Sequence, residues 1–344
     1  MRWLNHDYFK KIIPASLLFS GLILLTAQSQ AQCVITSSGN VTMGAISSMT
    51  LAEQGTQSNQ FSAGLRCEGF SLAALNNTYL KYRVDQMPVS YKNAGTGEVL
   101  TVDYLDTNNK AISLGKEVDM SSFTIINFFT GPNGALPFYA KINAGQNVSP
   151  GRYTADKSFK VKWYYSVPAF AFIGVGTFFE SPGFNRGGLI TAFNWGAGSD
   201  ATLNLYIDVL PDCRISTNAV NFGTSPFADV FTPVQTSLGV RCSVYTPYYV
   251  GLNNGLYPQT GNQRAMKASN SNNFLRYEIY KNATTERWGS SVNERWSSLE
   301  ATTNPGQHNT NQQGFSFTAK VLDTNSPSLP AGNYSDTITV NVEF

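Results

Sequence analysis

The stretch ITVNVEF, residues 338–344, alternates apolar and polar side chains along its whole length. Successive side chains of a β-strand point to opposite faces, so this stretch predicts a strand with one buried and one solvated face. The apolar members, which would share the buried face, are Ile338, Val340, Val342 and Phe344. Similar short runs, separated by Gly, Asn, Pro and Ser, recur along the chain, and almost nothing has helical period. The sequence therefore predicts an all-β protein built from antiparallel sandwiches.

The chain also contains an internal repeat of one module. Five pairs of segments match in the same order in both halves: VTMG (41–44) with VNFG (220–223), GLRC (64–67) with GVRC (239–242), YLKYRV (79–84) with FLRYEI (274–279), FYAKI (138–142) with FTAKV (317–321), and GRYT (151–154) with GNYS (332–335). Matches in register indicate homologous units. We predict two domains, residues 32–210 and 211–344, joined near Leu210-Pro211-Asp212.

The first 31 residues are typical of a secretory signal peptide. Basic residues precede the apolar run Ile12–Thr26, and Ser29-Gln30-Ala31 offers small residues where a signal peptidase cleaves. A membrane anchor needs roughly 20 apolar residues, which is more than this run provides. Cleavage removes Arg2, Asp7, Lys10 and Lys11, so the formal net charge of +2 becomes zero. A nucleic-acid-binding protein usually displays a basic excess, and none is expected here.

The cysteine pattern predicts disulfides rather than a metal site. All 4 cysteines lie in the mature chain, and an even count behind a signal peptide is typical of disulfides. Their spacing favours pairing within each half, Cys33 with Cys67 and Cys213 with Cys242. A zinc site would want closer cysteines, and the mature chain has a single histidine, His308. No metal or other cofactor is predicted.

Catalysis is not predicted either. Ser-His-Asp or Cys-His chemistry would have to use His308, and the cysteines are assigned to disulfides. A glycosidase carboxylate pair stays open from the sequence alone. Gly174-Val175-Gly176 is too short for a dinucleotide fingerprint and opens no helix.

The two halves differ at their C-terminal ends. After its GRYT segment and the following strand, the first half continues into residues 201–209, where Leu203, Leu205, Ile207 and Val209 alternate with polar residues. The second half reaches Phe344 without a counterpart. A sandwich that lacks an edge strand exposes a hydrophobic groove and unpaired backbone groups. We expect such a groove in the second half, unless this half closes by other means.

Several short motifs cluster in residues 213–344. They are VNFG (220–223), VRC (240–242), GLNNG (251–255), QRAM (263–266), LRY (275–277), WG (288–289) and GNYSD (332–336). Together they resemble the spore coat protein U domain found in subunits of archaic chaperone-usher pili of the Csu type. The first half lacks the Arg-x-Met and Trp-Gly elements, so its membership rests on the internal repeat.

The resemblance implies an incomplete immunoglobulin-like domain, lacking its last strand, that folds with a periplasmic chaperone. It also implies assembly at an outer-membrane usher and completion by an N-terminal strand of the adjacent pilus subunit. Ile338, Val340, Val342 and Phe344 would then line the groove that receives this strand or the chaperone. Only Gln32 separates the predicted cleavage site from Cys33, so this subunit would have no strand to donate. We expect a tip adhesin at the cell surface that promotes attachment and biofilm formation.

Binding is predicted at apolar segments of the first half that have no match in the second. Residues 167–179 are almost wholly apolar yet contain Pro168, Gly174 and Gly176, which weaken a central strand. Exposed apolar patches usually serve binding. A second apolar loop is expected at 131–138, with its hairpin tip at 135–137, after a core strand at 123–129. The predicted surface-binding residues are Ala135, Leu136, Pro137, Val167, Ala169, Phe170, Phe172, Ile173, Val175, Phe178, Phe179, Leu189, Ile190, Phe193 and Trp195.

These apolar segments favour hydrophobic or abiotic surfaces as the partner. Three other interpretations remain open at this stage. The side chains could belong to the core; the tip could be lectin-like and bind a host or matrix glycan through Tyr, Asn and Asp; or the chain could be a structural pilin or coat component without a receptor.

Overall fold

Strands dominate the protein. A computed structural model describes residues 32–68, 72–74, 77–122, 132–172, 175–188, 190–308, 311–324 and 329–344. The strands of the first half are β1 (Gln32–Ile35), β2 (Gly39–Ser47), β3 (Thr56–Glu68), β4 (Leu72–Ala74), β5 (Tyr79–Gln86), β6 (Ser90–Asn93), β7 (Val99–Thr101), β8 (Asp103–Leu105), β9 (Glu117–Asp119), β10 (Ala135–Ile142), β11 (Gly151–Ala155), β12 (Phe159–Phe172), β13 (Val175–Glu180) and β14 (Ser199–Leu210). Those of the second half are β15 (Cys213–Ser216), β16 (Val234–Cys242), β17 (Tyr249–Leu252), β18 (Arg264–Ala268), β19 (Phe274–Lys281), β20 (Trp296–Ser297), β21 (Gln313–Val321), β22 (Tyr334–Ser335) and β23 (Val340–Glu343).

Helical structure is sparse. The described residues contain one short α-helix, α1 (Ser48–Glu53), whose N-cap Ser47 accepts a hydrogen bond from the Thr50 N–H. The 3-10 turns are Pro132–Gly134, Ala228–Val230, Thr260–Asn262 and Ser298–Glu300. Within the described part of the chain, no helix has the length and apolarity that crossing a bilayer requires.

The first half consists of two sheets around an aromatic core. One sheet has the order β1-β3-β10-β8, and the other has β7-β6-β11-β14-β12-β5-β9, with β2 beside β14 and with β4 and β13 beside β12. Phe61 lies edge-on to Phe138 and Phe159, with ring centroids 6.2 and 5.8 Å away. The buried indole of Trp163 donates to the Ala63 carbonyl at 2.9 Å. The sandwich prediction is confirmed, although β2–β14 and β4–β12 pair in parallel.

The second half repeats this plan with fewer strands. Its sheets have the orders β15-β16-β21-β19-β18-β22 and β20-β17-β23. The rings of Trp288, Trp296 and Phe315 pack in the core between them, with centroids 5.1 to 6.1 Å apart. Each half therefore has its own hydrophobic cluster.

The predicted disulfides are confirmed. Cys33 bonds to Cys67 between β1 and β3, and Cys213 bonds to Cys242 between β15 and β16. In both pairs the cysteines are directly opposite one another in the antiparallel register. Loops of this size stabilise a domain by roughly 3–4 kcal/mol in the chain-entropy treatment.

The predicted final strand of the first half is also confirmed, as β14. Its inward side chains are between 0% and 2% exposed, and they are Ala201, Leu203, Leu205, Ile207 and Val209. β14 is hydrogen-bonded to β2 along one edge and to β11 and β12 along the other. This strand therefore closes the large sheet.

One of the five repeat matches is wrong, because its two segments form strands that are not structurally equivalent. Segment 79–84 lies in β5, which pairs with β12, whereas segment 274–279 lies in β19, which pairs with β18 and β21. The topological counterpart of β5 is β17, because β17 pairs with β23 as β5 pairs with β12. Half-buried strands share the same apolar alternation, so the likeness of these two segments did not identify the partner strand.

The two halves meet at α1 and the segment before β15. Ser48 Oγ lies 2.5 Å from Ser243 Oγ, and both residues are buried. Ser47 Oγ donates to the Asp212 carboxylate at 2.5 Å. These polar contacts join the end of β2 to Asp212 and the start of α1 to Ser243, the residue that follows β16.

Candidate functional site

In the predicted apolar segment 167–179, the described residues 167–172 and 175–179 form two paired antiparallel strands, called the hairpin below, rather than an irregular loop. β12 leaves β14 after Trp163 and continues to Phe172, and β13 returns antiparallel beside it. β4 pairs in parallel with Phe170–Phe172 on the other side of β12. The register shifts between Pro168 and Phe170, where proline has no N–H to donate. The hairpin beyond Ser166, β4 and the loop 181–198 are together called the tip surface below.

The side chains of the hairpin differ in burial. Val167 and Phe179 are half-buried and pack against the core of the first half. Ala169 and Phe178 are also half-buried. Phe170, Phe172 and Val175 belong to the paired strands. Ile173 and Leu189 lie outside the described residues, as do the predicted signal peptide 1–31 and the predicted strand 123–129.

The loop 181–198 has its own aromatic base. Asn185 and Asn194 form a β-bridge, and Ile190, in the turn between them, is 98% exposed. Phe193 is 44% exposed, while Trp195 is half-buried. The packed aromatic rings, with centroids 5.2 to 6.2 Å apart, are Tyr79, Phe184, Phe193 and Trp195. Tilted and edge-to-face contacts of these rings with Tyr79 fix the loop against the start of β5.

The prediction that residues 135–137 lie at an exposed hairpin tip is wrong. Ala135 is 3% exposed, Leu136 is fully buried and Pro137 is buried. The 3-10 turn Pro132–Gly134, with Asn133 at φ 56°, completes the bend before Ala135. β10 therefore begins at Ala135 and runs between β3 and β8, so these side chains enter the core.

One element of the tip surface was missed by the sequence reasoning. β4 spans Leu72–Ala74 and lies beside the hairpin. A signal existed, because the apolar run LAAL (72–75) has no counterpart between Cys242 and β17 in the second half. A strand of three residues has little periodicity of its own, so this run alone predicts no strand.

A second candidate site is an apolar cavity of about 310 Å³ in the second half. Its lining includes Val220, Phe222, Leu252, Trp288, Phe317, Ile338 and Val340. Of the four residues predicted to form a groove, Ile338 and Val340 therefore line it. Val342 packs against the core, and Phe344 is 54% exposed.

The cavity corresponds in position to β14 of the first half. There, β14 covers Phe159 and Val161, which are at most 1% exposed. In the second half Ile338 and Val340 stay half-buried, and in the described part of the chain β23 pairs only with β17. The counterpart of β2, residues 217–233, contains no strand. An apolar groove beside an unpaired strand edge can accept a further strand.

The histidine considered for catalysis lies in a packed hydrogen-bond network. His308 Nε2 is 2.8 Å from Ser298 Oγ, and that oxygen accepts the Tyr248 N–H at 3.0 Å. Whether Ser298 Oγ donates to Nε2 or accepts from it depends on the tautomer of the imidazole. Ser298 is fully buried, so a substrate has no access to its hydroxyl. Burial lowers the pKa of His308 below its usual range.

The burial of His308, which lowers its pKa, predicts a pH-dependent stability of the second half. A depressed histidine pKa means that the unfolded chain binds the proton more readily than the folded chain does. The stabilisation is fully present above the unfolded value of about 6.5 and is lost as the pH falls towards the folded value. Thermal unfolding between pH 7 and pH 5 should show a falling midpoint, and His308→Gln should flatten the profile. If the midpoint falls equally with pH in the unchanged protein and in His308→Gln, His308 is not the group responsible.

The sequence profile of the Spore Coat Protein U domain matches residues 20–156 and 199–341. Among solved structures, the tip subunit in the CsuC–CsuE chaperone–tip adhesion subunit pre-assembly complex, from archaic chaperone-usher Csu pili of Acinetobacter baumannii, is 56% identical. That match covers 91% of this chain and 100% of the other, with a TM-score of 0.74.

More remote likenesses add little. CfaE, the adhesive subunit of CFA/I fimbria of enterotoxigenic Escherichia coli, is 9% identical, with a TM-score of 0.30 over 89% of this chain and 92% of the other. A likeness of this size supports no conclusion. No curated protein matches the sequence.

Proposed function

Because the chain belongs to the Spore Coat Protein U domain family, we propose that it is the tip adhesin of an archaic chaperone-usher pilus. Residues 1–31 would direct export, 32–210 would form the adhesin domain and 211–344 the pilin domain. The protein would pass through the periplasm, bind a pilus chaperone and the outer-membrane usher, and remain at the pilus tip on the cell surface. The relative solved with its chaperone supports this assignment.

In this proposal the cavity of the second half is an acceptor site. The chaperone would fill it first, and an N-terminal strand of the adjacent subunit would replace the chaperone. Support comes from the internal comparison, because β14 provides such a strand within the first half. Each apolar side chain that enters the groove would contribute about 1.5–3 kcal/mol.

The first half would bind external surfaces through the segments of the tip surface. The observation that carries this proposal is the direction of β14. Its first residue, Ser199, pairs with Trp163 just before the hairpin, whereas its last residues lead to the second half. The tip surface and the connection to the second half therefore lie at opposite ends of one strand, as attachment at the end of a fibre requires.

The proposed binding chemistry is hydrophobic and non-directional. Ile190 is almost fully exposed, and the hairpin and β4 are rich in apolar residues. Burial of one such side chain gains about 1.5–3 kcal/mol, and many pili on one cell would add these weak contacts by multivalency. Hydrophobic and abiotic surfaces fit this chemistry, and attachment to them would promote biofilm formation. No catalytic role is proposed.

A lectin-like tip is the second candidate. The half-exposed Phe193 lies in an aromatic cluster whose Trp195 ring is 4.7 Å from Lys81 Nζ, and Lys81 pairs with Glu117 at 2.8 Å. An aromatic face beside charged groups could stack on and hydrogen-bond a glycan. Adhesion that depends on the exposed Phe193 and Glu117 and is blocked by soluble sugars would favour this candidate.

Adhesion of piliated cells tests the hydrophobic proposal. Phe170, Phe172 and Ile190 changed together to Ser should reduce attachment to polystyrene about tenfold or more, since each lost side chain weakens every contact. Leu114→Ser is the matched control, because Leu114 is 60% exposed but lies near the opposite end of β5. Pilus number is counted by microscopy. Unchanged attachment with intact pili would show that the apolar residues of the tip surface are not the binding site.

A further inference from the structure

Arg186, in the loop 181–198, contacts the other segments of the tip surface. Its Nη1 donates to Ser166 of β12, at 2.5 Å to Oγ and 3.4 Å to the carbonyl oxygen. Its Nη2 donates to the Asn77 carbonyl oxygen ahead of β5. Its Cζ lies 3.7 Å from the centre of the Phe178 ring in β13 and 4.8 Å from that of Tyr79. One guanidinium thus connects β12, β13, the start of β5 and its own loop.

The charge of this guanidinium is directed inward. Among the described residues its hydrogen-bond acceptors are two carbonyl oxygens and a hydroxyl, and its flat faces meet aromatic rings. Burial lowers the pKa of Arg186, but an arginine stays protonated in proteins. Ser166 Oγ donates onward to Glu180 at 2.8 Å, so β13 is tied to the same centre a second time. Cation–π contacts strengthen as they are desolvated, which favours this closed arrangement.

We infer that Arg186 is the positioning residue of the adhesive tip, which holds the loop with Ile190 at a fixed place beside the β12–β13 hairpin. The inference rests on the proposed function and deepens it. Holding the segments in place before contact reduces the ordering cost of binding, so a rigid tip binds more strongly than a loose one with the same side chains. Arg186 itself need not touch the surface.

Lysine is not an equivalent residue here. A planar guanidinium donates in several directions while its faces stack on rings, whereas an ammonium is a single point charge. Arg186→Lys keeps the charge but cannot reach Ser166 and Asn77 while stacking on Phe178. If position rather than charge is what matters, Arg186→Lys and Arg186→Gln should behave alike.

The test uses the full chain, as piliated cells and as the purified chaperone complex. We expect both Arg186 variants to reduce attachment to polystyrene about fivefold. Amide hydrogen exchange over 175–188 should accelerate about tenfold, because the contacts that close these segments are lost. Pilus number and the thermal midpoint should stay unchanged. Arg152→Gln is the matched control, since Arg152 also donates through two nitrogens, here to Asp208, and stacks 4.1 Å from the Tyr206 ring, away from the tip.

Three results would overturn the inference. Unchanged exchange over 175–188 would show that Arg186 does not hold these segments. A loss of pili or of global stability would indicate a general structural role, and full attachment by Arg186→Lys would show that charge suffices. Failure of the proposed function gives a different result from failure of this inference. Normal attachment by the Phe170, Phe172 and Ile190 variant would contradict the proposed function, whereas hydrogen exchange over 175–188 would still show whether Arg186 holds these segments.

Discussion

A strand fused after Phe344 should convert the second half from an insoluble fragment into a monomeric, folded protein. Residues 212–344 expressed without a chaperone leave the apolar cavity and one edge of β23 uncovered. The fused strand would carry the β14 sequence behind a flexible linker, because its inward side chains fill the equivalent place in the first half. Four such side chains at about 1.5–3 kcal/mol each equal the net stability of a typical domain. Soluble yield, size-exclusion chromatography and cooperative unfolding measure the outcome.

The control for this experiment is the same strand with its alternation shifted by one residue. A one-residue shift turns the apolar set away from the cavity, so the shifted strand should not rescue folding. If residues 212–344 alone are monomeric and unfold cooperatively, the cavity is a closed feature of the domain. Rescue by both strands would show that the linker or length, rather than the side chains, restores solubility.

Replacing Glu278 by Gln should destabilise the second half by about 3–5 kcal/mol, the usual cost of breaking a buried ion pair. Arg264 is fully buried and pairs with Glu278, which is 5% exposed. Arg264 Nη2 also donates to the carbonyl oxygens of Leu252 and Trp288, so it joins the two sheets behind the cavity. Without the carboxylate, a buried cation loses its counter-charge. Urea unfolding of the strand-complemented second half measures the change.

A matched pair on the same strand serves as the control. Arg276 of β19 pairs with Asp323 at 2.6 Å; the carboxylate side chain is 10% exposed, but the arginine side chain is 54% exposed, so the cation keeps its contact with water. Asp323→Asn should therefore cost about 1 kcal/mol or less. Equal losses in Glu278→Gln and Asp323→Asn would mean that burial of the first pair does not set its energy.

The features that were predictable from the sequence are those encoded by local alternation and by cysteine spacing. β14 and β23 have alternating apolar residues that a strand must place on one face, and both disulfides join cysteines of the same half. Strand partners were less predictable, because β5 and β19 carry similar patterns yet are not equivalent strands of the repeat: β5 pairs with β12, whereas β19 pairs with β21. Pairing depends on contacts between distant residues that a pattern of period two does not specify.

The candidate site was predictable in part for the same reason. The apolar segment 167–179 and the exposed Ile190 stand out because the second half has no counterpart to them. The sequence could not distinguish an apolar tip at 135–137 from a core strand, since both need the same residue types. Arg186 looked like any polar loop residue, because its function depends on rings and carbonyls from three other segments.

β14 also determines how the first half would respond to a pulling force. A tether between a held tip and the rest of the chain loads this strand along its own axis, from Ser199 to Leu210. Since β14 is hydrogen-bonded on both edges, the bonds to β2, β11 and β12 would resist in shear, all together rather than one after another. The same strand that closes the sheet would therefore transmit tension through the domain without unzipping it.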